Sequence, residues 1–293
     1  MMMNTKNWSY GLGMYFMSLW VLLTPARAAA AAELEVIYPQ IEERPTDSYG
    51  YKVLELALAK SGRHFHLSIS KELMSQERAR SSLEDGRISV FDTGTSAQAE
   101  QRLRAVYFPI DRGISGYRLF IINRALAPEF AAIKNLDMLR LKTAGQGPGW
   151  ADTRILESAG IKVQVAPFGA LFAMADNRRF DFYPLGLEEV YGMLDKYRDR
   201  APHSIVEETV VLHYPFARLF FVNKSNQELH DALLAGLQAA YADGSFQRLL
   251  ESDPAYKAAR QRANIGKRTV IEVDNPELTA QFKAIPAKYF AKP

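Results

Sequence analysis

Three short polar stretches are where chemistry could reside in this chain. The first is Asp92-Thr93-Gly94-Thr95-Ser96, a carboxylate and three hydroxyls between the strand-like run Ile88–Phe91 and a helix-prone run from Ala97 to Leu103. In open α/β sheets ligands sit at the carboxyl ends of strands, and the free N–H groups of a following helix suit an anion. The same residues also read as a helix N-cap, with Ser96 or Thr95 closing the first turn. The second is Arg102, seven residues after Thr95. A short helix could aim its planar guanidinium back at that turn, where it would match a carboxylate two-handedly; on a surface it would pair with Glu100 or solvent instead.

The third stretch is Gly145-Gln146-Gly147-Pro148-Gly149-Trp150-Ala151-Asp152, between a strand and a helix. Alternate glycines allow close backbone approach, and the helix start behind them favours negative charge. The spacing is not G-x-G-x-x-G and no Lys-Ser/Thr follows, so neither dinucleotide nor P-loop chemistry is indicated. Trp150 is equally placed to face a ligand or the core, and Asp152 reads as a first-turn helix charge more readily than as a base. Tyr183-Pro184 reads as a cleft wall or a plain turn. No catalytic residue is nominated. G-x-S-x-G is absent, and His64, His66, His203, His213 and His230 form no metal-ligand spacing, so no metal and no cofactor are expected.

The elements that must position these residues alternate. Leu34–Tyr38 reads as a strand, Tyr49–Lys60 as a helix, Phe65–Ile69 as a strand, Lys71–Glu84 as a helix and Ile88–Phe91 as a strand. Tyr117–Asn123 is a strong strand, after which the pattern restarts with strands at Leu141–Ala144, Ile161–Val165 and Phe180–Tyr183. Helices are expected between and after them at Trp150–Ala159, Phe168–Asn177 and Leu187–Arg198. Arg218–Asn223 then repeats the composition of the first crossing strand, Leu-Phe-Phe-Val-Asn against Leu-Phe-Ile-Ile-Asn, and helices dominate to the end. This order predicts an α/β protein with mostly parallel sheets flanked by helices. Two similar Asn-terminated strands around one block suggest a chain that leaves one lobe, builds a second and returns. The expected division is 29–122 and 219–293 for the first lobe and 123–218 for the second, with a ligand cleft between them.

The mature chain resembles the family 3 extracellular solute-binding proteins, whose fold is the two-lobed type II periplasmic-binding-protein fold. The resemblance runs over roughly Glu33 to Leu250. It is carried by Arg102 with Phe108-Pro109 six residues later, by Tyr38-Pro39 after the first strand, and by Arg179-Phe180-Asp181. It implies that Arg102 and Thr95 hold a ligand carboxylate and that Tyr38 packs on the ligand. Departures are also plain. The family's acid for a ligand ammonium would fall at Gly186, with Glu188 and Glu189 nearby, and its Thr three residues before the Arg is Ala99. A standard α-amino acid is therefore not the expected ligand.

Residues 1–28 read as a removable export signal: Lys6, an uncharged run from Asn7 to Leu23, and Ala26-Arg27-Ala28 as the cleavage site. Its removal takes Lys6 and Arg27 and no acid, lowering the formal charge of +3 by two. Such near-neutrality gives no whole-chain reason to expect nucleic acid. The chain has no cysteine, which excludes disulfides, thiol nucleophiles and a lipid-anchored N-terminal Cys. The expected protein is a periplasmic monomer, unanchored after cleavage. It would capture a small polar, anionic or aromatic solute by hinge closure, without catalysis, for an ABC-type importer or membrane sensor. The binding residues nominated are Tyr38, Asp92, Thr93, Thr95, Ser96, Arg102, Gly149, Trp150, Asp152 and Tyr183. An envelope enzyme on the same scaffold, and an interaction protein with a degenerate cleft, are the other readings.

Overall fold

The computed structural model describes residues 1–2, 33–41 and 44–291 of the chain. The expected export signal lies outside the described residues, apart from Met1 and Met2. Among the described residues no helix is long and apolar enough to cross a membrane.

The first lobe opens with β1 (Leu34–Ile41), α1 (Tyr49–Lys60), β2 (Phe65–Met74), α2 (Gln76–Glu84), β3 (Val90–Gly94), α3 (Ala97–Arg102) and β4 (Arg104–Val106). β1 and β2 pair in parallel from Leu34↔Phe65 onward. The strand β2 runs on through Lys71–Met74, where a helix is expected; the helix waits for Ser75, whose Oγ accepts from Arg78 N at 3.3 Å. That cap resets the start, because hydroxyls satisfy orphan N–H groups best at helix N-termini.

The second lobe is built from β5 (Tyr117–Asn123), α4 (Ala127–Ala131), α5 (Leu136–Leu139), β6 (Thr143–Gln146), α6 (Ala151–Ser158), β7 (Lys162–Val165), α7 (Phe168–Asp176), β8 (Tyr183–Gly186), α8 (Val190–Lys196), β9 (Ser204–Val206) and β10 (Val210–His213). The return comprises β11 (Arg218–Val222), α9 (Gln227–Ala242), α10 (Ser245–Ser252), α11 (Pro254–Arg262), β12 (Thr269–Glu272) and α12 (Ala280–Lys283).

The chain is α/β and two-lobed, as the alternation predicts, but the sheets are mixed where mostly parallel ones are expected. β1–β2, β6–β7 and β10–β12 are parallel. Every ladder made by β5 and β11 is antiparallel. These two strands carry the chain between lobes and so enter each sheet from the opposite end. Two further corrections concern the boundaries. β5 pairs with β8, β9 and β10, so the whole first crossing strand belongs to the second lobe. The return segment does not stay with the first lobe either: Ala259, Ala263, Ile271 and Val273 are buried in the second lobe's apolar clusters, and β12 pairs with β10.

Each lobe has its own core. In the first, Val53, Leu54, Ala57 and Leu58 of α1 pack against Leu229, Leu233, Leu237 and Ala240 of α9. Gly236 permits that contact, since a β-carbon there would collide with the Ala57 carbonyl. The cores of the second lobe gather Phe120, Phe130 and Phe182 on one side and Leu171, Phe172 and Tyr183 on the other. The two Asn-terminated strands end alike. Asn123 Oδ1 accepts from Ala125 N at 2.9 Å, and Asn223 Oδ1 accepts from Ser225 N at 3.0 Å.

The crossings are tied by Asp111, which is buried. Its Oδ1 accepts from Gly113 N at 3.0 Å and from Arg218 N at 3.2 Å. One carboxylate thus holds the outgoing turn and the returning strand in register.

Candidate functional site

A cavity of about 350 Å³ lies between the lobes. The first lobe contributes Arg44, Arg80, Thr93 and Arg218, and the second contributes Arg118, Trp150, Asp152 and Glu188.

Asp92 stands at the centre of the first-lobe wall but does not face the cavity. It is fully buried and accepts from the Tyr38 hydroxyl, from Arg218 and from Arg44 at 3.4 Å. Burial alone would raise its carboxyl, yet the Arg218 and Arg44 charges outweigh that and hold it below the usual carboxylate range. Gly50 is obligatory behind it, because a β-carbon there would strike the carboxylate at 2.6 Å. Asp92 therefore acts as a counter-ion. Tyr38, expected to pack on a ligand, is a buried donor to Asp92 with its ring edge-on to Tyr51 at 5.7 Å. Burial and the Asp92 charge push its hydroxyl far above the usual tyrosine range.

The hydroxyls after Asp92 divide. Thr93 lines the cavity, and its Oγ1 accepts from Arg80 Nη2 at 3.3 Å. Thr95 is turned away and donates to Glu100 Oε1 at 2.6 Å, a carboxylate that also accepts from Tyr107 at 2.7 Å. Ser96 is the N-cap of α3, accepting from Ala99 N at 3.2 Å. Arg102 lies outside the cavity, half-exposed and paired with Glu84 at 2.6 Å. α3 ends at Arg102, and the last turn of so short a helix presents this side chain to α2 rather than to the turn at Thr93.

On the second-lobe side, Gly149 takes a positive φ of 71° and its carbonyl accepts from Arg80 Nη1 at 3.4 Å. Trp150 is half-buried in the cavity wall, its ring nearly parallel to Tyr183 at 6.3 Å and tilted against Phe168 at 5.9 Å. Tyr183, nominated as a wall residue, is fully buried behind Trp150. Asp152 lies in the first turn of α6, where a carboxylate complements the helix dipole. It pairs with Arg118 at 2.6 Å and accepts from the Tyr214 hydroxyl. Burial would lower the Arg118 guanidinium, but the Asp152 charge outweighs this and keeps it firmly protonated. The guanidinium also lies over the rings of Phe216 and Tyr214, 4.8 and 5.4 Å from their centroids.

Glu188 follows β8 and lines the cavity with a buried Oε2 that has no hydrogen-bond partner among the described residues. Burial, then the charges of Glu189 and Asp111, push its carboxyl up to about 8, against the pull of Arg218. Among the described residues no group of His, Asp or Glu side chains could hold a metal ion.

Of the nominated residues, Thr93, Trp150 and Asp152 line the cavity directly and Gly149 borders it through Arg80, whereas Tyr38, Asp92, Thr95, Ser96, Arg102 and Tyr183 do not line it. Sequence reasoning missed Arg80, Arg118 and Arg218, and named Glu188 only as a neighbour of the position where the family's acid would fall. For two of these arginines a signal was present: both crossing strands carry Arg-Leu-Phe near their start, Arg118-Leu119-Phe120 just after Tyr117 and Arg218-Leu219-Phe220 at the start of β11.

No family model matches the sequence, and no curated protein matches it. Solved structures do. An ancestral arginine-binding protein bound to arginine is 15% identical with a TM-score of 0.55, over 76% of this chain and 98% of that one. A histidine kinase sensor domain with similarity to periplasmic binding proteins is 12% identical with a TM-score of 0.55, over 74% and 93%. The chain has the type II periplasmic-binding-protein fold. The fold is shared as well with the amino acid ABC transporter substrate-binding protein AbpA from Streptococcus pneumoniae bound to L-arginine, 14% identical with a TM-score of 0.54, over 78% and 95%. In this fold the cavity described above occupies the cleft between the lobes.

Proposed function

We propose that this chain is an exported solute-binding protein, working in the periplasm as a monomer and closing its lobes about a small polar solute. The observation that carries this reading is the cavity of about 350 Å³ walled from both lobes by guanidinium groups, carboxyls and the Trp150 ring. Its size falls in the range of small-molecule sites, and convergent polar groups on an apolar wall are what orient such ligands. The solute we assign is anionic or aromatic, with its acidic group against the arginines and its flat body against Trp150.

Hinge motion about the two crossing strands would bring the walls together. The first lobe is built on the elements from β1 to β4 and the early return segment, and the second on those from β5 to β10, joined by residues 259–273. Delivery is to an ABC-type importer or a membrane sensor; structures of both kinds share the fold. Binding proceeds without turnover. Asp92 and Asp152 are each committed to guanidinium partners.

A thermal-shift screen of the exported protein against a metabolite panel tests the proposal. A true solute at a hundredfold excess over its dissociation constant should add about 2.7 kcal/mol of stability, quench or shift Trp150 fluorescence, and be recovered unchanged. A flat response across acids, amino acids, sugars and aromatic compounds would argue for an interaction protein instead.

A further inference from the structure

We infer that Arg80, in place of Arg102, reads the acidic group of the captured solute, and that the solute class is a small monocarboxylate or comparable monoanion. This deepens the solute-capture reading above and rests on it.

Among the described residues four guanidinium groups reach the cavity, from Arg44, Arg80, Arg118 and Arg218. Three are already matched by acids. Arg44 and Arg218 share Asp92, and Arg118 holds Asp152 with Glu189 farther off at 3.9 Å. Arg80 differs. Among the described residues it makes no ion pair, and its two hydrogen bonds go to uncharged oxygens, Thr93 Oγ1 at 3.3 Å and the Gly149 carbonyl at 3.4 Å. Both are long for a charged donor, which ordinarily approaches an anion to about 2.7–2.9 Å. A guanidinium has five N–H donors in a rigid fork, so most remain for a planar anion.

The position is as telling as the spare donors. Thr93 belongs to the first lobe and Gly149 to the second, so an anion on Arg80 lies where the lobes meet, beside the Trp150 ring. Burial lowers the Arg80 guanidinium, with the Glu77 charge one turn earlier on α2 offsetting part of it. An incoming anion would replace solvent around a charge that is already partly desolvated, which strengthens the pairing. Charge matching limits that anion to one group. Asp92, Asp152 and Glu189 face Arg44, Arg118 and Arg218, and Glu188 stays largely protonated up to about pH 8. Glu77 borders the cavity too, but it is exposed and its charge is screened by solvent. Among the less exposed charges of the described residues that of Arg80 is what remains, and a second negative group on the solute would bury an excess. Arg102, by contrast, spends its charge on Glu84 at the surface.

The test uses the full exported protein and three variants: Arg80→Gln, Arg80→Lys and Arg102→Ala. Each is screened by thermal shift with a pool of lactate, benzoate, phenylacetate and 4-hydroxybenzoate, and with the matching pool of neutral amides. Stabilisation by the acids and not the amides is expected for wild type and Arg102→Ala. In Arg80→Gln the response should be lost, corresponding to affinity weaker by roughly ten- to a hundredfold, while Arg80→Lys keeps the charge without the fork and retains part of it. The unliganded melting temperature of each variant reports whether it has folded. A full acid response in Arg80→Gln, or loss of it in Arg102→Ala, overturns the role of Arg80. An equal response to the amides overturns the solute class. No response of the wild type to the acids or to the wider metabolite panel counts against solute capture itself.

Discussion

The two lobes use the same three residue types at corresponding places and obtain different results. In the first lobe Arg218 at the start of β11 meets Asp92, which Tyr38 also holds; in the second, Arg118 at the start of β5 meets Asp152, which Tyr214 also holds. Asp92 is sealed behind the wall with a third donor, Arg44, and Gly50 closed against it. Asp152 lines the cavity, and the far face of Arg118 is occupied by Phe216 and Tyr214. One cluster braces a lobe, and the other forms part of the cleft wall. What separates them is the element each acid stands on: Asp92 lies mid-strand in β3 and is enclosed by neighbours, whereas Asp152 lies in the first turn of α6 at the cleft edge.

The comparison is most easily broken by removing the acids. Asp92→Asn strands two guanidinium groups and should cost about 3 kcal/mol or more in chemical denaturation, since a buried charge that loses its partner is strongly destabilising. Asp152→Asn should cost less, because Arg118 retains Glu189 and the two ring faces. Equal losses would dissolve the distinction between brace and wall.

A smaller effect sharpens the same contrast through pH. The Glu188 carboxyl, pushed up to about 8 from an ordinary 4.5, keeps its proton in the folded chain while the unfolded chain has lost it. Stability from this group is therefore full below about pH 4.5 and falls as pH rises toward 8. Asp92, held low by its arginines, works the other way: its contribution is present above the ordinary carboxylate range and is lost as pH falls. Glu188→Gln should flatten the alkaline loss, gaining about 1 kcal/mol at pH 9 relative to pH 5, as read from denaturation midpoints at the two pH values. A variant that follows the wild-type profile would show that another group sets the alkaline limb.

The helix cap comes next. Ser96→Ala should cost about 1 kcal/mol in denaturation and leave solute affinity unchanged. Arg102→Ala should have the smallest effect, within about 0.5 kcal/mol, as an exposed ion pair contributes little.

Much of the fold was legible because hydrophobic periodicity is local. The helix Tyr49–Lys60 and the strand Tyr117–Asn123 stand where spacing alone puts them. The short strands β9, β10 and β12 were not, since three or four Val/Ile-rich residues carry no period of their own and become strands only through partners distant in sequence. The candidate site divides similarly. Trp150 and Asp152 announced themselves by type beside a glycine-rich turn. Arg102 misled because its distance from Thr95 fits a helix that aims inward, whereas α3 stops at that residue and turns it toward Glu84. Arg80 gave no local signal: it is one of several charged residues on α2, and only the packing of that helix against the cleft sets it apart.

Solute capture between the lobes is tested most directly by native mass spectrometry of the exported protein, purified without denaturant, beside the Arg80→Gln variant. The prediction is one small molecule carrying a single acidic group bound one to one to the wild type and depleted from the variant. A wild-type chain that carries no such molecule, even after incubation with the metabolite panel, would contradict it.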